Sequence, residues 1–367
     1  MKVCHLTSVH QRYDTRIFLK ECTSLANAGY DVSLVVADGN GDEEKNGVKI
    51  YDVGKPSGRK ERMLKTTKKV YQKALELDCD VYHFHDPELI QTSLKLRKKG
   101  KKVIYDVHED LPRQILTKDY LPGIIRKSLA PVVELWENNA AKKFSHIITS
   151  TDFIRDRFYK VNPNSSAVKN YPILKELLIT ADWNERKPEV CYIGGITEPR
   201  GIVEIVRALE KTDTVLHLAG KFDSKATEEK VRKMPGWKKV KFYGFVDREQ
   251  IKQILSSVQV GLVTLQPKIN YLDSLPIKMF EYMAAGIPVV ASNFPLWKKI
   301  VEQSKCGICV DPLNTDQIAE AINFLLNNPE EAKKMGDNGQ KAAKEKYNWT
   351  IEERKLLSIY NKLKDQQ

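Results

Sequence analysis

The first half of the chain alternates short apolar, β-branched runs with stretches whose apolar residues recur at a helical period. The short runs predict strands. Between the first two, Phe18, Cys22 and Leu25 share one face of a predicted helix that ends near Gly29. The predicted strands are Lys2–Thr7, Asp31–Ala37, Val48–Val53, Val81–His85, Lys102–Val107, His146–Ser150 and Ala167–Tyr171.

The alternation restarts after a polar, irregular stretch from Tyr171-Pro172 to Lys187-Pro188. Strands separated by helices indicate βαβ units, which build parallel sheets with helices on both faces. We therefore predict an α/β protein of two doubly wound domains, residues 1–180 and 187–349, that face a central cleft. Residues 350–367 are predicted to be an amphipathic helix. The later strands are Val190–Ile193, Val215–Ala219, Val240–Phe242, Val260–Leu265, Pro288–Ala291 and Ile308–Val310.

The composition is that of a folded protein with an anionic partner. Of the 367 residues, 41% are hydrophobic and 29% are charged, and no apolar run is long enough for a transmembrane helix. The net charge is +12, and basic residues concentrate in segments 55–73 and 95–102. This excess favours a nucleotide, a phosphosugar, nucleic acid or an acidic membrane surface, although solvated helix faces explain the two segments as well.

Several other kinds of site are disfavoured. The sequence contains neither the G-x-G-x-x-G of nicotinamide dehydrogenases nor the G-x-x-x-x-G-K-[ST] of P-loop nucleotidases. The six cysteines, with no signal peptide at the start, indicate reduced thiols in a cytoplasmic protein. Cys306 and Cys309 have C-x-x-C spacing but are expected to be structural. Asp78-Cys79-Asp80 precedes its strand and is predicted to be a surface turn.

Histidines and carboxylates gather where two predicted strands of the first half end. One strand places His83 and His85 on the same face, and His108 follows the next strand. A metal-dependent hydrolase would use the three histidines as ligands, but Asp86-Pro87-Glu88 does not continue the H-x-H-x-D-H pattern of such enzymes. We favour the alternative, a polar cleft wall in which His108 contacts a substrate hydroxyl.

Two motifs of the second half predict a phosphate site. A strand leads into Gly194-Gly195, and Arg200 then precedes a helix; the glycines permit close backbone approach, and the helix start favours an anion. A second helix begins at Pro276 and ends at Gly286. Its N-terminus and Lys278 would hold a diphosphate, and Glu281 could accept both ribose hydroxyls. A plain turn and a Lys–Glu pair on a solvated helix are the alternatives.

These motifs resemble those of the retaining glycosyltransferases of family 4, the group 1 class with the GT-B fold. The resemblance covers nearly the whole chain and is most specific over Pro276–Ser292. It implies an enzyme that needs no metal and no cofactor and takes a sugar from a UDP- or GDP-linked donor bound by the second domain. The first domain would bind a saccharide or polyprenyl-linked acceptor, and the last helix would pack back on it. The implied pathway builds a surface polysaccharide or glycolipid.

The resemblance also implies roles for individual residues. Glu281 would hold the donor ribose, and Arg200 would hold its diphosphate. Asp273 and His108 would be the catalytic positions beside the transferred sugar, with Asp273 in place of the first glutamate of the family's pair. The implied donor contacts are Gly194, Gly195, Arg200, Phe245, Val246, Ile277, Lys278 and Glu281, with Phe245 and Val246 flanking the base; the implied acceptor contacts are Asp14, Arg16 and His85.

Two further expectations concern charge. Gly195 stands where the family often has an arginine, and we expect Lys278 to supply the missing charge. The basic segment 55–73 lies in the acceptor domain, where the resemblance implies contact with an anionic membrane surface, on the inner face of the cell membrane. Aromatic residues are sparse in this segment, with Tyr71 alone between residues 55 and 73, so no binding to nucleic acid is expected.

Overall fold

The computed structural model describes residues 1–118, 121–177 and 182–365 and divides the chain into two compact units. The first unit contains Met1–Asn170 and Thr350–Gln367, and the second contains Tyr171–Trp349. The change of unit at Tyr171 falls where the polar stretch of the sequence begins. The predicted domain limit at residue 180 and the last two residues of the predicted helix 350–367 lie outside the described residues.

The described residues of the first unit form an eight-stranded sheet in the order β3-β4-β2-β1-β5-β6-β7-β8. Neighbouring strands are parallel except for β3 and β4, which are antiparallel. Helical connections cover the faces of such a sheet, so its central strands are buried along most of their length. The strands are β1 (Lys2–Leu6), β2 (Asp31–Val36), β3 (Glu43–Lys45), β4 (Val48–Asp52), β5 (Val81–Phe84), β6 (Lys102–Val107), β7 (His146–Thr149) and β8 (Ser165–Ala167).

Helices connect these strands. The first connection begins with a π-helical segment, Thr15–Cys22, and the face predicted from Phe18, Cys22 and Leu25 is buried. A second π-helical segment is Arg62–Thr66, and a 3-10 turn is Pro87–Leu89. The α-helices are α1 (Thr23–Asn27), α2 (Arg59–Glu61), α3 (Thr67–Leu77), α4 (Ile90–Lys98), α5 (Leu111–Leu116), α6 (Gly123–Ala141) and α7 (Asp152–Tyr159).

In its described part, the second unit has a six-stranded parallel sheet in the order β11-β10-β9-β12-β13-β14. Its strands are β9 (Lys187–Ile193), β10 (Leu216–Ala219), β11 (Val240–Gly244), β12 (Val258–Val263), β13 (Val289–Ser292) and β14 (Gly307–Val310). Its α-helices are α8 (Leu174–Leu177), α9 (Ile202–Ala208), α10 (Lys225–Arg232), α11 (Arg248–Ser257), α12 (Ile277–Ala284), α13 (Pro295–Ser304), α14 (Thr315–Asn327) and α15 (Pro329–Glu345). Its 3-10 turns are Trp183–Glu185, Glu198–Arg200, Leu209–Lys211 and Pro235–Lys239.

The chain ends in α16 (Trp349–Asp365), which belongs to the first unit from Thr350 onward. Leu356, Tyr360 and Leu363 are buried, as their helical spacing predicts. Along residues 1–118, 121–177 and 182–365, no helix is both long and apolar enough to cross a bilayer. The predicted α/β class and the restart of the pattern in the second half are therefore both seen in the structure.

Two strands differ from the predicted ones. The hydrophobic pattern does not predict β3, because Glu43–Lys45 is charged and lies at the edge of the sheet, where side chains need not be buried. The predicted strand Ala167–Tyr171 is instead β8, which ends at Ala167. Beyond it, the carbonyl of the buried Val168 accepts a hydrogen bond from the side chain of Arg16 at 2.8 Å. The apolar residues after Ala167 are thus buried without extending the strand.

A glycine in the second sheet determines where α12 lies. A Cβ atom built at Gly261 in β12 would be 2.3 Å from Cδ2 of Tyr282, so the tyrosine ring lies directly on the strand backbone. The Tyr282 hydroxyl also accepts a hydrogen bond from the backbone N–H of Ile193 at 2.9 Å. These contacts fix the rotation of α12 and hence the positions of Lys278 and Glu281.

We expect Gly261→Ala to destabilise the second unit by about 1–3 kcal/mol, because the added methyl group forces the ring of Tyr282 away from β12. Urea unfolding followed by circular dichroism measures the change. The matched control is Gly58→Ala, where an added Cβ meets nothing within 4 Å and the backbone is extended. Equal unfolding midpoints for the two variants would show that the Tyr282 contact does not hold α12 in place.

Candidate functional site

The loop after β9 brings Arg200 over the two glycines that follow the strand. A Cβ atom built at Gly195 would be 2.9 Å from Nη1 of Arg200. Thr197 accepts a hydrogen bond from the backbone N–H of Arg200 and caps the turn Glu198–Arg200. A side chain at position 195 would therefore displace the end of the flexible Arg200 side chain.

Lys278 lies beside the same glycines. Its Nζ is 3.3 Å from a Cβ built at Gly194 and 3.4 Å from the centroid of the Tyr192 ring. Lys278 is only 9% exposed, and its Nζ finds no hydrogen-bond partner among the described residues. Burial, and to a smaller extent the neighbouring Arg200, lowers the pKa of Lys278 well below its ordinary value. Glu281 acts in the opposite direction and raises this pKa. An anion here would supply the missing partner and offset the repulsion between the two cationic side chains.

Glu281 is buried, so the alternative of a solvated Lys–Glu pair on this helix is wrong. Its Oε1 accepts a hydrogen bond from Nη1 of Arg248 at 2.8 Å, and Arg248 also donates to Oε2 of Glu176 from Nε and Nη2. Arg248 begins α11, whose N-terminus Asp247 caps. The sequence gives no motif that marks Arg248, and the pairing engages one of the two Glu281 oxygens predicted to hold the ribose.

The other predicted donor contacts lie on loops at the carboxyl end of the same sheet. Phe245 follows β11 and is 74% exposed, with the Nζ of Lys221 4.9 Å from its ring centroid. Val246, next to it, is buried. Ile277 begins α12, and Asp273 lies in the turn before it; both are half-buried. The loops after β9, β11 and β12 therefore contribute to one edge of a parallel sheet, where such sheets bind ligands.

The first unit contains a buried polar network centred on Asp106, in β6. Asp106 accepts hydrogen bonds from Nε and Nη2 of Arg16 at 2.9 and 2.7 Å. Its Oδ2 also lies 3.1 Å from Nδ1 of His85 and 2.9 Å from Nε2 of His108. Burial alone would raise the pKa of Asp106, but Arg16 and the two histidines lower it well below its ordinary value. Asp106 is therefore an ionised acceptor that orients both imidazoles.

Most of the residues predicted to contact the acceptor already form hydrogen bonds with other residues of the protein. Asp14 caps the segment Thr15–Cys22 by accepting hydrogen bonds from two backbone N–H groups, at 2.8 and 2.9 Å. Arg16 is 2% exposed, and its guanidinium is used by Asp106 and the Val168 carbonyl. His85 is also buried. Arg16 and His85 thus hold the network together instead of facing a ligand, because a buried carboxylate needs compensating donors.

His108 and His10 are the partly exposed imidazoles of this network, with 19% and 28% of their side chains accessible. Their ring centroids are 5.0 Å apart. No motif marks His10 in the sequence, and its only signal is its place in the loop before Asp14. Its Nδ1 is 3.5 Å from Asp14 and its Nε2 is 3.4 Å from Asp86. Burial lowers the pKa of His10, but the two carboxylates outweigh it and raise the pKa above its ordinary value.

Two family models match the chain. The model for glycosyl transferases group 1 matches residues 178–342, and the model for glycosyltransferase family 4 matches residues 16–168. The chain belongs to the group 1 glycosyltransferases of family 4. The predicted family and the assignment as a glycosyltransferase are therefore confirmed, and the metal-dependent hydrolase based on His83, His85 and His108 is not supported.

Individual proteins agree with this assignment. An MMP alpha-(1->4)-mannosyltransferase of Mycolicibacterium hassiacum is 23% identical over 78% of this chain and 71% of its own. A phosphatidyl-myo-inositol mannosyltransferase of Mycobacterium leprae is 24% identical over 77% and 73%. Sucrose-phosphate synthase from Thermosynechococcus elongatus superposes with a TM-score of 0.78 at 16% identity over 100% of both chains. Anabaena HepE in complex with UDP and glucose gives a TM-score of 0.73 at 14% identity over 99% and 100%. These structures confirm the GT-B fold.

We expect His10 to make the stability of the first unit depend on pH. Because its pKa is raised on folding, its stabilising contacts are fully present below the unfolded pKa of about 6.5 and are lost as pH rises through the folded pKa. His10→Asn should therefore lower the free energy of unfolding more at about pH 6 than at about pH 8, by roughly 0.5–1 kcal/mol. Urea unfolding at the two pH values measures this difference.

His146→Asn is the matched control for this comparison. Burial lowers the pKa of His146 to about 4, so the ring is neutral in the folded protein but becomes protonated in the unfolded chain at about pH 6. Its replacement should therefore cost less at about pH 6 than at about pH 8, the opposite sign to His10. If His10→Asn costs the same at the two pH values, or follows His146→Asn in sign, the carboxylate contacts of His10 do not contribute the expected charge interaction.

Proposed function

We propose that this glycosyltransferase binds a nucleotide-sugar donor through its second unit, with Arg200 and Lys278 on the diphosphate and without a metal ion. The unpartnered, buried Nζ of Lys278 beside Arg200 is the observation that carries the proposal. A diphosphate would give both cations an acceptor. Gly194 and Gly195 leave the backbone open to the phosphates, and the N-terminus of α12 adds donors.

The charge that develops during the reaction supports this arrangement. When the bond between the sugar and the diphosphate breaks, its electron pair stays on the leaving phosphate oxygen. The acceptor hydroxyl forms the new bond to the sugar carbon and loses its proton. Fixed cations and helix amides next to that phosphate stabilise the transition state more than the ground state. In metal-dependent enzymes a bound cation has this role. We propose attack from the face that the diphosphate leaves, with retention of configuration.

The remaining donor contacts follow from the same loops. Oε2 of Glu281 is available for a ribose hydroxyl while Oε1 holds Arg248. The exposed ring of Phe245 and the adjacent Val246 would flank the base. Asp273, in the turn before α12, is proposed to face the sugar hydroxyls. The UDP in the Anabaena structure of the same fold supports a UDP-linked donor, and a GDP-linked donor is the alternative.

We assign the acceptor to the first unit, with His108 in contact with the sugar. In the tautomer that donates the Nε2 proton of His108 to Asp106, Nδ1 is left as an acceptor for a sugar hydroxyl. The names of the two mannosyltransferase relatives, one of which acts on phosphatidyl-myo-inositol, support a saccharide or lipid-linked acceptor and a role in polysaccharide or glycolipid synthesis. We propose a cytoplasmic enzyme that needs no cofactor.

The donor assignment is tested by calorimetric titration of the protein with UDP, GDP, CDP and ADP, each with and without EDTA. One nucleoside diphosphate should bind in both conditions. Lys278→Met keeps the aliphatic stem but removes the charge, and it should weaken binding by about 1.5–3 kcal/mol, or roughly 10- to 150-fold in Kd.

The matched control is Lys298→Met, which removes an exposed lysine of the same unit and should leave the Kd unchanged. Two results would overturn the proposal: binding that disappears in EDTA, or equal affinities for Lys278→Met and the wild type. The first result would show that a metal ion carries the diphosphate, and the second would show that Lys278 does not.

We also propose that segment 55–73 holds the enzyme at an anionic membrane surface. Met63 and Leu64 are exposed there, Leu64 by 76%, among the basic side chains of Arg59–Glu61 and Arg62–Thr66. The first unit exposes further apolar side chains on α6, among them Ile124, Val132 and Leu135. Basic residues with adjacent apolar anchors are typical of peripheral membrane binding.

Co-sedimentation with vesicles tests this surface. The protein should bind vesicles that contain phosphatidylglycerol more strongly than vesicles of phosphatidylcholine alone, and added salt should weaken binding. Each lysine near an anionic surface contributes about 1 kcal/mol, so Lys60→Glu with Lys65→Glu should lower binding at least about tenfold. Lys333→Glu with Lys334→Glu makes the same charge change on the second unit and should have no effect. Equal binding to the two kinds of vesicle would contradict the proposal.

A further inference from the structure

The geometry points to a buried divalent transition-metal site in the first unit, with zinc as the expected ion and His5, His83, His85 and Glu21 as the ligands. His5 is in β1, His83 is in β5, His85 follows β5, and Glu21 is in the segment Thr15–Cys22. One nitrogen or oxygen atom from each lies within 4.8 Å of the others. All four side chains are inaccessible to solvent or nearly so.

The distances between the candidate ligand atoms suit a four-coordinate ion. Nδ1 of His5 is 2.9 Å from Nε2 of His85. Oε2 of Glu21 is 4.0 Å from Nδ1 of His5 and 3.9 Å from Nε2 of His83. Tetrahedral zinc with bonds of about 2.0–2.2 Å separates its ligands by roughly 3.3–3.6 Å, which lies between these values. The other pairs of ligand atoms lie within 4.8 Å of each other, so shifts of up to about an ångström would complete the site.

The second nitrogen of each histidine has the partner that a metal ligand needs. Nδ1 of His85 faces the Asp106 carboxylate at 3.1 Å. Nδ1 of His83 and Nε2 of His5 face the Tyr360 hydroxyl at 2.9 and 3.4 Å. Histidines that bind a metal usually donate their other ring N–H to a carboxylate or another oxygen, which orients the ring and fixes its tautomer. Here all three histidines can do so while their remaining nitrogens converge.

Without an ion, the cluster leaves polar atoms unsatisfied. In one arrangement of protons, His83 donates a hydrogen bond to Tyr360, Tyr360 donates to His5, and His5 donates to His85. That arrangement still gives no hydrogen bond to Nε2 of His83 or to either oxygen of Glu21 within the described chain. Nε of Arg16 lies 3.1 Å from Oε1 of Glu21, but Oε2 points toward the histidines. Buried polar atoms without partners are costly, and a cation bound to all four ligands would satisfy them.

A second group, His85, Asp106 and His108, also lies within ligand distance. Both oxygens of Asp106 already accept hydrogen bonds from Arg16, so this group has no unused carboxylate. The unsatisfied atoms therefore favour the site that contains Glu21. This site is in the first unit, and its existence does not depend on the donor proposed for the second. Because it is buried, the ion would enter during folding and would tie β1, β5 and α16 together.

The test measures the metal content of the full chain, produced without a polyhistidine tag in zinc-supplemented medium. Elemental analysis of the wild type should find about one equivalent of zinc. Glu21→Gln and His83→Gln should lower it to background. The matched controls are Glu137→Gln, a buried carboxylate bonded to Tyr105 and Arg157, and His217→Asn in the second unit; both should keep the metal.

The absorption of cobalt supplies a second readout that does not require a folded variant. Wild-type protein produced in cobalt medium should show the intense visible absorption of four-coordinate cobalt with nitrogen and oxygen ligands. Less than about a tenth of an equivalent of any divalent transition metal in the wild type would overturn the inference. Zinc that persists in Glu21→Gln and His83→Gln would overturn it too. Loss of zinc in His108→Asn but not in Glu21→Gln would place the ion in the second group and also refute the assignment.

Discussion

The buried ion pair between Arg16 and Asp106 is the interaction on which the first unit depends. Both side chains are removed from water, so each loses a large hydration energy that only a close, two-point contact can offset. The same guanidinium donates to the Val168 carbonyl, and the same carboxylate accepts from His85 and His108. Removing one partner would leave a buried charge, at a cost of about 3–5 kcal/mol. The orientation of His108 is therefore a consequence of a contact between the first helical connection and strand β6.

The second unit places two cationic side chains next to each other instead of pairing a cation with a carboxylate. Its cationic pair, Arg200 and Lys278, lies close enough for Arg200 to lower the pKa of Lys278, and Glu281, which opposes this effect, already binds Arg248. A folded protein rarely keeps a buried ammonium group without an acceptor unless a ligand provides one. The packing of Tyr282 on Gly261 holds α12, and with it Lys278, in position. In the function that we propose, this packing preorganises the two cations for the diphosphate.

Motifs along the sequence mark the loops and strands that carry these polar residues, but they do not show which contacts each residue makes. Gly194, Gly195, Arg200 and Lys278 gather at one sheet edge, because strand-to-helix loops of a parallel sheet all leave the same edge. Arg16 and His85 were expected to face an acceptor, yet they are interior donors to Asp106. Whether a polar side chain faces solvent or another part of the chain depends on partners that a local motif does not contain.

The sequence by itself determined the alternation of strands and helices, the two-part organisation and the family. Hydrophobic periodicity and turn residues act over a few neighbouring positions, and most predicted strands agree with the structure within two residues. The tertiary structure alone decided that Arg16 pairs with Asp106, that Arg248 engages Glu281, and that His5 and Glu21 converge with His83 and His85. These contacts join residues separated by tens of positions, 90 in the case of Arg16 and Asp106. Only the order in which the strands pair brings such residues together. No local pattern of residues along the chain encodes that order.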